Sequence, residues 1–393
     1  MSRDRSRRSG RCGILSYPGG MSTVQPRSGA RTLAPLSMLT GVTLALASCG
    51  AGTPTAVVPT SATAPGTSST ATLKPSSTTT YTTTTPPNPE GQQANTLGSP
   101  LPIPAALPPF SEPPGAGEGT WSPAGRPVGG VPAVYETTLV PPGGTQPAGI
   151  AWMDTHRLSA RLYSGSVSPG GGPYLYTAPI QPAQATSLVA AFNGGFVMNV
   201  AHGGYYTEGR MVDPLAPGAA SLVIYADGSV NVGAWNSDVT MTSKVVSVRQ
   251  NLVPLVAAGQ PTLQATSPTW QAWGNTCGAT SCAAAVPGID HQWRSGAGVT
   301  ADGALVYATG PALDPLQLAQ LLVRAGVVRG MQLDINPNWT VLTTYDPSSP
   351  GGLAAPSNGS KLLSATVQGP GTFFEPWWAR DFVTMSARFG AIP

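Results

Sequence analysis

Hydrophobic and polar positions alternate in short runs along much of the C-terminal two thirds of the chain. Residues 157–163, Arg-Leu-Ser-Ala-Arg-Leu-Tyr, change character at almost every step, the period-two pattern of a half-buried strand. Residues 187–192 are a short apolar run, read as a buried strand. Leu222-Val223-Ile224-Tyr225 and Val230-Asn231-Val232 flank Asp227-Gly228, a pair that tolerates positive φ and so predicts a hairpin. The device recurs where Asp302-Gly303 separates Gly298-Val299-Thr300 from Leu305-Val306-Tyr307. One helix is predicted next. Asp314 is a natural N-cap and Pro315 a natural first helical residue; Leu316, Leu318, Leu321, Leu322 and Val323 supply an apolar face, and Gly326 ends it. Met331-Gln332-Leu333 then reads as a strand running into Asp334. With no solenoid-type repeat, this pattern predicts an α+β fold of strand-rich mixed or antiparallel sheets with few helices.

The patterned part, residues 130–393, is long enough for one sizeable core. What precedes it is built differently. Residues 59–87 are nearly all Ser, Thr, Pro and Ala, and residues 97–127 are dominated by Pro and Gly. Neither stretch promises enough apolar burial to offset the entropy of ordering, so residues 49–129 are expected to be an extended tether. Residues 1–48 read as a signal peptide. Arg27 and Arg31 precede a short apolar run over 33–47, and Leu46-Ala47-Ser48-Cys49 fits a bacterial lipobox with lipid attached at Cys49. A plain secretory signal and an anchor are the competing readings, and Met21 gives a more ordinary start. The expected location is the extracytoplasmic face of a bacterial cell membrane, held by the lipid.

Charge supports that placement. The formal +3 is carried by the leader: seven of the 20 basic residues lie before Cys49, against one of the 17 acids, leaving 13 basic and 16 acidic residues beyond it. Nucleic acid is therefore excluded as a partner, for want of a basic patch. Only 9% of the chain is charged, well below an average of about 25%, which suits a carbohydrate-rich setting. Beyond Cys12 and Cys49 the cysteines are Cys277 and Cys282, with small residues between them. A short-loop disulfide is expected; a metal site needs more ligands, and a catalytic thiol suits an oxidising compartment poorly.

Two segments place polar groups directly after apolar runs, as strands do at the rim of a sheet: Asn193-Gly194-Gly195-Phe196 and Leu333-Asp334. Between them lie Arg294, Gly296, Gly298, the Asp302-Gly303 turn and the Leu-rich helix. Across residues 130–393 this order resembles the phosphodiester glycosidase family, which includes an enzyme that removes N-acetylglucosamine from a sugar phosphodiester. The family's last strand ends Leu-Asp-Gly-Gly-Gly-Ser. Here Leu333-Asp334 is followed by Ile335-Asn336-Pro337-Asn338-Trp339. Proline has no amide hydrogen, so a cradle of three glycine amides cannot form in the same way, and only the Asp334 carboxylate carries over. The resemblance implies a single domain of that fold and a hydrolase of glycosyl phosphodiesters in envelope or exopolysaccharide glycans. The alternative is a non-catalytic lipoprotein of the same fold that binds a glycan or a partner protein.

The chemistry assigns candidate roles. Asp334 is the leading acid or base; its bland reading is a turn cap. Arg294 has the fork to grip a phosphate, or equally to make a structural ion pair. Asn193 with Gly194 and Gly195 can aim amides at an oxyanion, or simply form a turn that needs glycine. His202, Glu208 and Arg210 sit with Tyr205 and Tyr206 in a Gly-rich stretch suited to a sugar, though such residues are ordinary on surfaces. Asn336 points the same way as Asp334 if the strand continues. Trp339, Trp377 and Trp378 offer a sugar platform or core packing. Asp154, His156 and His291 are weaker candidates. The sequence shows no required cofactor; a divalent cation could draw on Asp334, Glu208 and a His, but no ligand spacing specifies one.

Overall fold

In the computed structural model, which describes residues 98–267, 273–274, 292–349 and 351–388, the alternating runs become strands of three sheets. The first sheet runs in the order β1 (Ser122–Ala124), β2 (Val134–Leu139), β3 (Ala148–Met153), β14 (Leu305–Leu313), β13 (Gln292–Thr300), β15 (Val327–Ile335), β11 (Pro254–Ala257), β12 (Gln260–Pro261). The second runs β7 (Arg210–Asp213), β6 (Tyr205–Thr207), β10 (Val245–Gln250), β8 (Ala220–Tyr225), β9 (Val230–Ala234). The third runs β17 (Gly359–Lys361), β16 (Leu342–Tyr345), β5 (Leu188–Asn193), β18 (Phe382–Ala387), β4 (Leu158–Tyr163). Every pairing of these strands is antiparallel, which resolves the expected sheet type.

The local signals account for several elements. Gly228 and Gly303 adopt φ of 75° and 92° in the two Asp-Gly hairpins, β8–β9 and β13–β14. Four α-helices are described: α1 (Pro182–Ala185), α2 (Met198–Ala201), α3 (Leu263–Thr266) and α4 (Pro315–Arg324). Asp314 caps α4 by accepting from the Gln317 amide at 2.6 Å, and Gln317 returns the bond at 3.0 Å. Among the described residues no helix is long and apolar enough to cross a membrane.

The core has two main compartments. Ala297, Val299, Tyr307, Met331 and Leu333 of the first sheet meet Val189, Phe192, Leu342 and Val383 of the third and Leu222 and Val232 of the second. On the other face of the first sheet lie Leu318, Leu321 and Leu322 of α4. The Gly-rich strand β13 serves that second layer. A Cβ at Gly296 would meet Leu318 and Leu322 of α4 at 3.2 and 3.3 Å and the Met331 carbonyl at 2.9 Å. Glycine here lets the helix approach the sheet.

The expected boundary at residue 130 is corrected. Residues 98–129 pack on the fold: Leu101 and Leu107 are buried beside α4's layer, and β1 pairs with β2. The Leu101 amide donates to Asp154, the Leu107 amide to the Gly119 carbonyl, and Arg324 reaches the Pro108 and Pro109 carbonyls while lying over the Phe110 ring. Proline density made this stretch look unfoldable. Yet an extended Pro-rich segment has few amides to satisfy and presents carbonyls and rings that neighbouring donors can use. The expected signal peptide, the rest of the expected tether up to residue 97, Cys49, Cys277, Cys282 and His291 lie outside the described residues.

Candidate active site

Asp334 reaches its position through a β-bulge. On β15, Gln332 pairs with Gly296 and Ile335 with Arg294, so three steps of β15 run against two of β13. Strict alternation from Gln332 would turn Asp334 toward α4. The extra residue turns it to the other face, where its amide donates to the Gly194 carbonyl at 2.9 Å and its carbonyl accepts from Ser295 Oγ at 2.7 Å.

The Asn193 turn meets it there. Asn193, at the end of β5, is 1% exposed and fully engaged. Its Nδ2 donates to Ser295 Oγ and to the Gly194 carbonyl, both at 2.9 Å, and its Oδ1 accepts from Tyr307 Oη at 2.7 Å and the Val341 amide at 3.0 Å. Asn193 therefore positions Asp334 through Ser295 and has no donor left for a ligand. Gly194 and Gly195 are required by space, since neither has positive φ. A Cβ on Gly194 would lie 2.0 Å from Asp381 Oδ2, and one on Gly195 2.9 Å from Arg249 Nη2 and from Asn251 Oδ1. The Gly194 amide donates to the Asp381 carbonyl and the Phe196 amide to Asn251 Oδ1, so neither is aimed at an oxyanion.

Behind the turn, Arg249 of β10 grips Asp381 with two bonds, Nε to Oδ2 at 2.8 Å and Nη2 to Oδ1 at 3.1 Å. Both side chains are essentially unexposed. Arg249 also donates to the Phe196 and Gln250 carbonyls and so ties the Asn-Gly-Gly-Phe turn to the ion pair.

In front, Arg380 faces Asp334. Its Nε stands 3.6 Å from Asp334 Oδ2, and its Cζ lies 4.5 Å from the centre of the Trp339 ring. Asp334 Oδ1 accepts from the Ile335 amide at 2.9 Å, whereas Oδ2 and Arg380 Nη1 are buried without a hydrogen-bond partner. Burial pushes the Asp334 carboxyl up to about 7, against the pull of Arg380 and the Ile335 amide. A carboxylic acid that keeps its proton near neutral pH is the group general acid catalysis requires.

The other candidates are placed elsewhere. Arg294 and Ser295 are neighbours on β13, so they face opposite sides of the sheet. The fully buried Arg294 side chain donates to the Leu313 carbonyl at 2.8 Å, the Trp273 carbonyl at 2.6 Å and Gln332 Oε1 at 2.9 Å. Its expected convergence with Asp334 and Asn193 is therefore corrected: Arg294 stitches the helix layer. Glu208 accepts from the Leu175 and Tyr176 amides, and Arg210 donates to the Gly171 and Pro173 carbonyls and lies over Tyr174, so both clamp the loop over 170–176. His202 is an exposed left-handed residue closing α2, beside a shallow 410 Å³ cavity lined with Pro217, Leu252 and Val253. Asn336 does not continue the strand. It has φ of 83° and its Oδ1 accepts from the Asn338 amide, closing a turn. Trp378 is buried against Trp339 and Phe373, while Trp377 is exposed. Asp154 and His156 anchor the segment around Ser99 and Leu101. Among the described residues no three His, Cys, Asp or Glu side chains gather as metal ligands.

Sequence reasoning missed Arg380, Asp381, Arg249, Ser295 and Tyr307. A signal existed for the first two: Arg380-Asp381 stands immediately ahead of the alternating run that becomes β18.

The fold and site define a strand-rich α+β protein with a buried carboxylic acid at a sheet junction. Solved structures similar to this chain include the catalytic domain of zebrafish N-acetylglucosamine-1-phosphodiester alpha-N-acetylglucosaminidase, auto-inhibited by its pro-peptide. The match has 17% identity and a TM-score of 0.40, and covers 67% of this chain and 86% of that one. A hypothetical protein from Synechocystis matches at 11% identity and a TM-score of 0.36, over 68% of this chain and 64% of its own. No family model and no curated protein matches the chain.

Proposed function

We propose that the protein is an exported, membrane-tethered hydrolase of glycosyl phosphodiesters in envelope or exopolysaccharide glycans, with Asp334 as its general acid. The observation that carries the reading is the Asp334 carboxyl. It is buried, held near 7, bonded through its backbone to the Asn193-Gly194 turn, and has one oxygen without a partner. The order of the Asn-Gly-Gly-Phe and Leu-Asp motifs supports the substrate class, and the lipobox at Cys49 supports export. In the reaction, Asp334 gives its proton to the phosphate oxygen that leaves as the anomeric C–O bond breaks. Water bonds to the anomeric carbon and loses a proton to solvent, and solvent restores the proton on Asp334. Asp381, the neighbouring carboxylate, is held by both arms of Arg249, so Asp334 is the acid and Asp381 the support.

The test is hydrolysis of a panel of N-acetylglucosamine-1-phosphodiesters by the wild type and Asp334→Asn. The substitution is expected to cut turnover by about 10² or more. The wild-type rate is expected to fall as pH rises through about 7, where the acid form is lost. Undiminished turnover in Asp334→Asn refutes the assignment. The binding-module reading rests on the Asn336 turn and Pro337, which replace the family's glycines. Saturable glycan binding with no turnover across the panel decides for it.

A further inference from the structure

The contact between Arg380 and Asp334 is incomplete on both sides. At 3.6 Å the Arg380 Nε is too far from Asp334 Oδ2 for a hydrogen bond. Oδ2 and Arg380 Nη1 are both buried and unpartnered. Native folds leave few buried polar atoms unpaired, and a bound ligand or ion is one explanation. The guanidinium Cζ lies 4.5 Å from the centre of the Trp339 ring, a contact that helps hold the side chain in place. The Arg380 side chain keeps 15% exposure against 4% for Asp334, so the approach is from the arginine side.

Resting on the hydrolase reading above, we propose that Arg380 and Asp334 together bind one singly charged oxyanion, the phosphodiester group of the substrate, and one proton. The charges around the site set this stoichiometry. Asp334 is faced by Arg380 ahead of β18, by Asp381, by Arg249 of β10 and by the Tyr307 hydroxyl of β14. Arg249 and Asp381 neutralise one another in their two-bond contact. Tyr307 is pushed up by burial and stays neutral. With Asp334 protonated, the site carries the single positive charge of Arg380, and Oδ2–H adds a donor to those of the guanidinium. A diester oxyanion can accept from both. Once Asp334 ionises it becomes the counter-ion of Arg380, the site is neutral, and Oδ2 presents a lone pair to the incoming oxygen. Anion and proton therefore enter together. The proton taken up is the one the acid then delivers, so a phosphodiester selects the reactive protonation state by binding. This role moves the phosphate-gripping arginine from Arg294, whose donors are committed behind the sheet, to Arg380.

Dimethyl phosphate is the probe, because it is a phosphodiester without a sugar and keeps a single charge across the working range. Its binding to the full chain is measured by calorimetry between about pH 5.5 and pH 8.5, in buffers of different ionisation enthalpy. In the wild type, Kd is expected to rise about tenfold per pH unit above about 7, with close to one proton taken up per anion there. Asp334→Asn is expected to bind with no pH dependence. Arg380→Gln is expected to weaken binding at least tenfold at pH 6, while Arg380→Lys keeps the pH dependence with weaker binding. The proposal is overturned if wild-type Kd is flat from pH 6 to pH 8.5, or if Arg380→Gln binds as the wild type does with its near-ultraviolet circular dichroism unchanged. The two readings fail separately. Proton-linked binding without turnover of any glycosyl phosphodiester sinks the hydrolase and leaves the anion site standing. Turnover with pH-independent probe binding does the reverse.

Discussion

Replacing Asp334 by asparagine isolates the energetic burden that a buried acid places on the fold. The carboxyl sits at about 7 against an ordinary 3.8. The gap of roughly three pH units corresponds to about 4 kcal/mol at about 1.4 kcal/mol per unit. The sign follows from the direction. With the folded value above the unfolded one, the native state holds more protons between about pH 4 and pH 7, so stability falls as pH rises through that window. Below it the wild type carries a neutral acid and pays no ionic desolvation; above it the charged carboxylate is buried with Arg380 at 3.6 Å as incomplete compensation. Asparagine keeps the shape and an acceptor for the Ile335 amide. It also turns an amide toward Arg380, which offsets part of the gain, so the net expectation is about 2–4 kcal/mol of added stability above pH 8. Urea unfolding of both proteins at pH 4 and pH 8.5 measures this directly. The two proteins should agree within about 1 kcal/mol at pH 4 and diverge at pH 8.5, with Asp334→Asn the more stable and the less active. Equal stability at both pH values, or equal destabilisation at both, refutes the reasoning and assigns Asp334 to the scaffold.

Glu136 on β2 offers a control outside the site. Its Oε1 is buried without a partner, and burial pushes its carboxyl up to about 7 despite a hydrogen bond with Thr344. Glu136→Gln should therefore add about 3 kcal/mol above pH 7 and little below pH 4.5, read by urea unfolding, with turnover unchanged. Arg249→Met strands the buried Asp381 carboxylate and should cost about 3–5 kcal/mol in the same assay; adding Asp381→Asn should recover part of it, and a strictly additive loss would contradict the pairing. Cys49→Ala should shift the protein from membrane to medium or leave an unprocessed precursor, as read by fractionation and intact mass. Unchanged membrane partition with normal cleavage would rule out the lipid anchor.

What could be read in the sequence was local. The Asp-Gly hairpins, the Asp314 cap and the apolar run ahead of Asn193 are each written within a dozen residues, and each appears where expected. Asp334 was legible for the same reason, as a polar group closing an apolar strand. The face on which it lies was not, because a bulge is a relation between β13 and β15 and leaves no mark on either alone. Arg294 was chosen for its fork and its place in the motif order, neither of which tells that it faces α4's side of the sheet. The Arg249–Asp381 pair joins residues 132 positions apart, and no local pattern announces it. Residues 98–129 misled for a different reason: composition weighs the cost of ordering a segment, but not the carbonyl acceptors and buried leucines that repay it once a surface is present.

The extra residue between Gln332 and Ile335 makes the acidity of this protein a matter of chain length as well as residue identity. Deleting one position within that step would return the aspartate to the helix layer, away from Gly194 and Arg380. Its strand would stay paired and the letters of the motif would stay intact. Two chains can thus share every functional residue here and differ in whether they possess an acid at all. On the proposed role of Asp334, a one-residue deletion across this step is as disabling as replacing the aspartate itself.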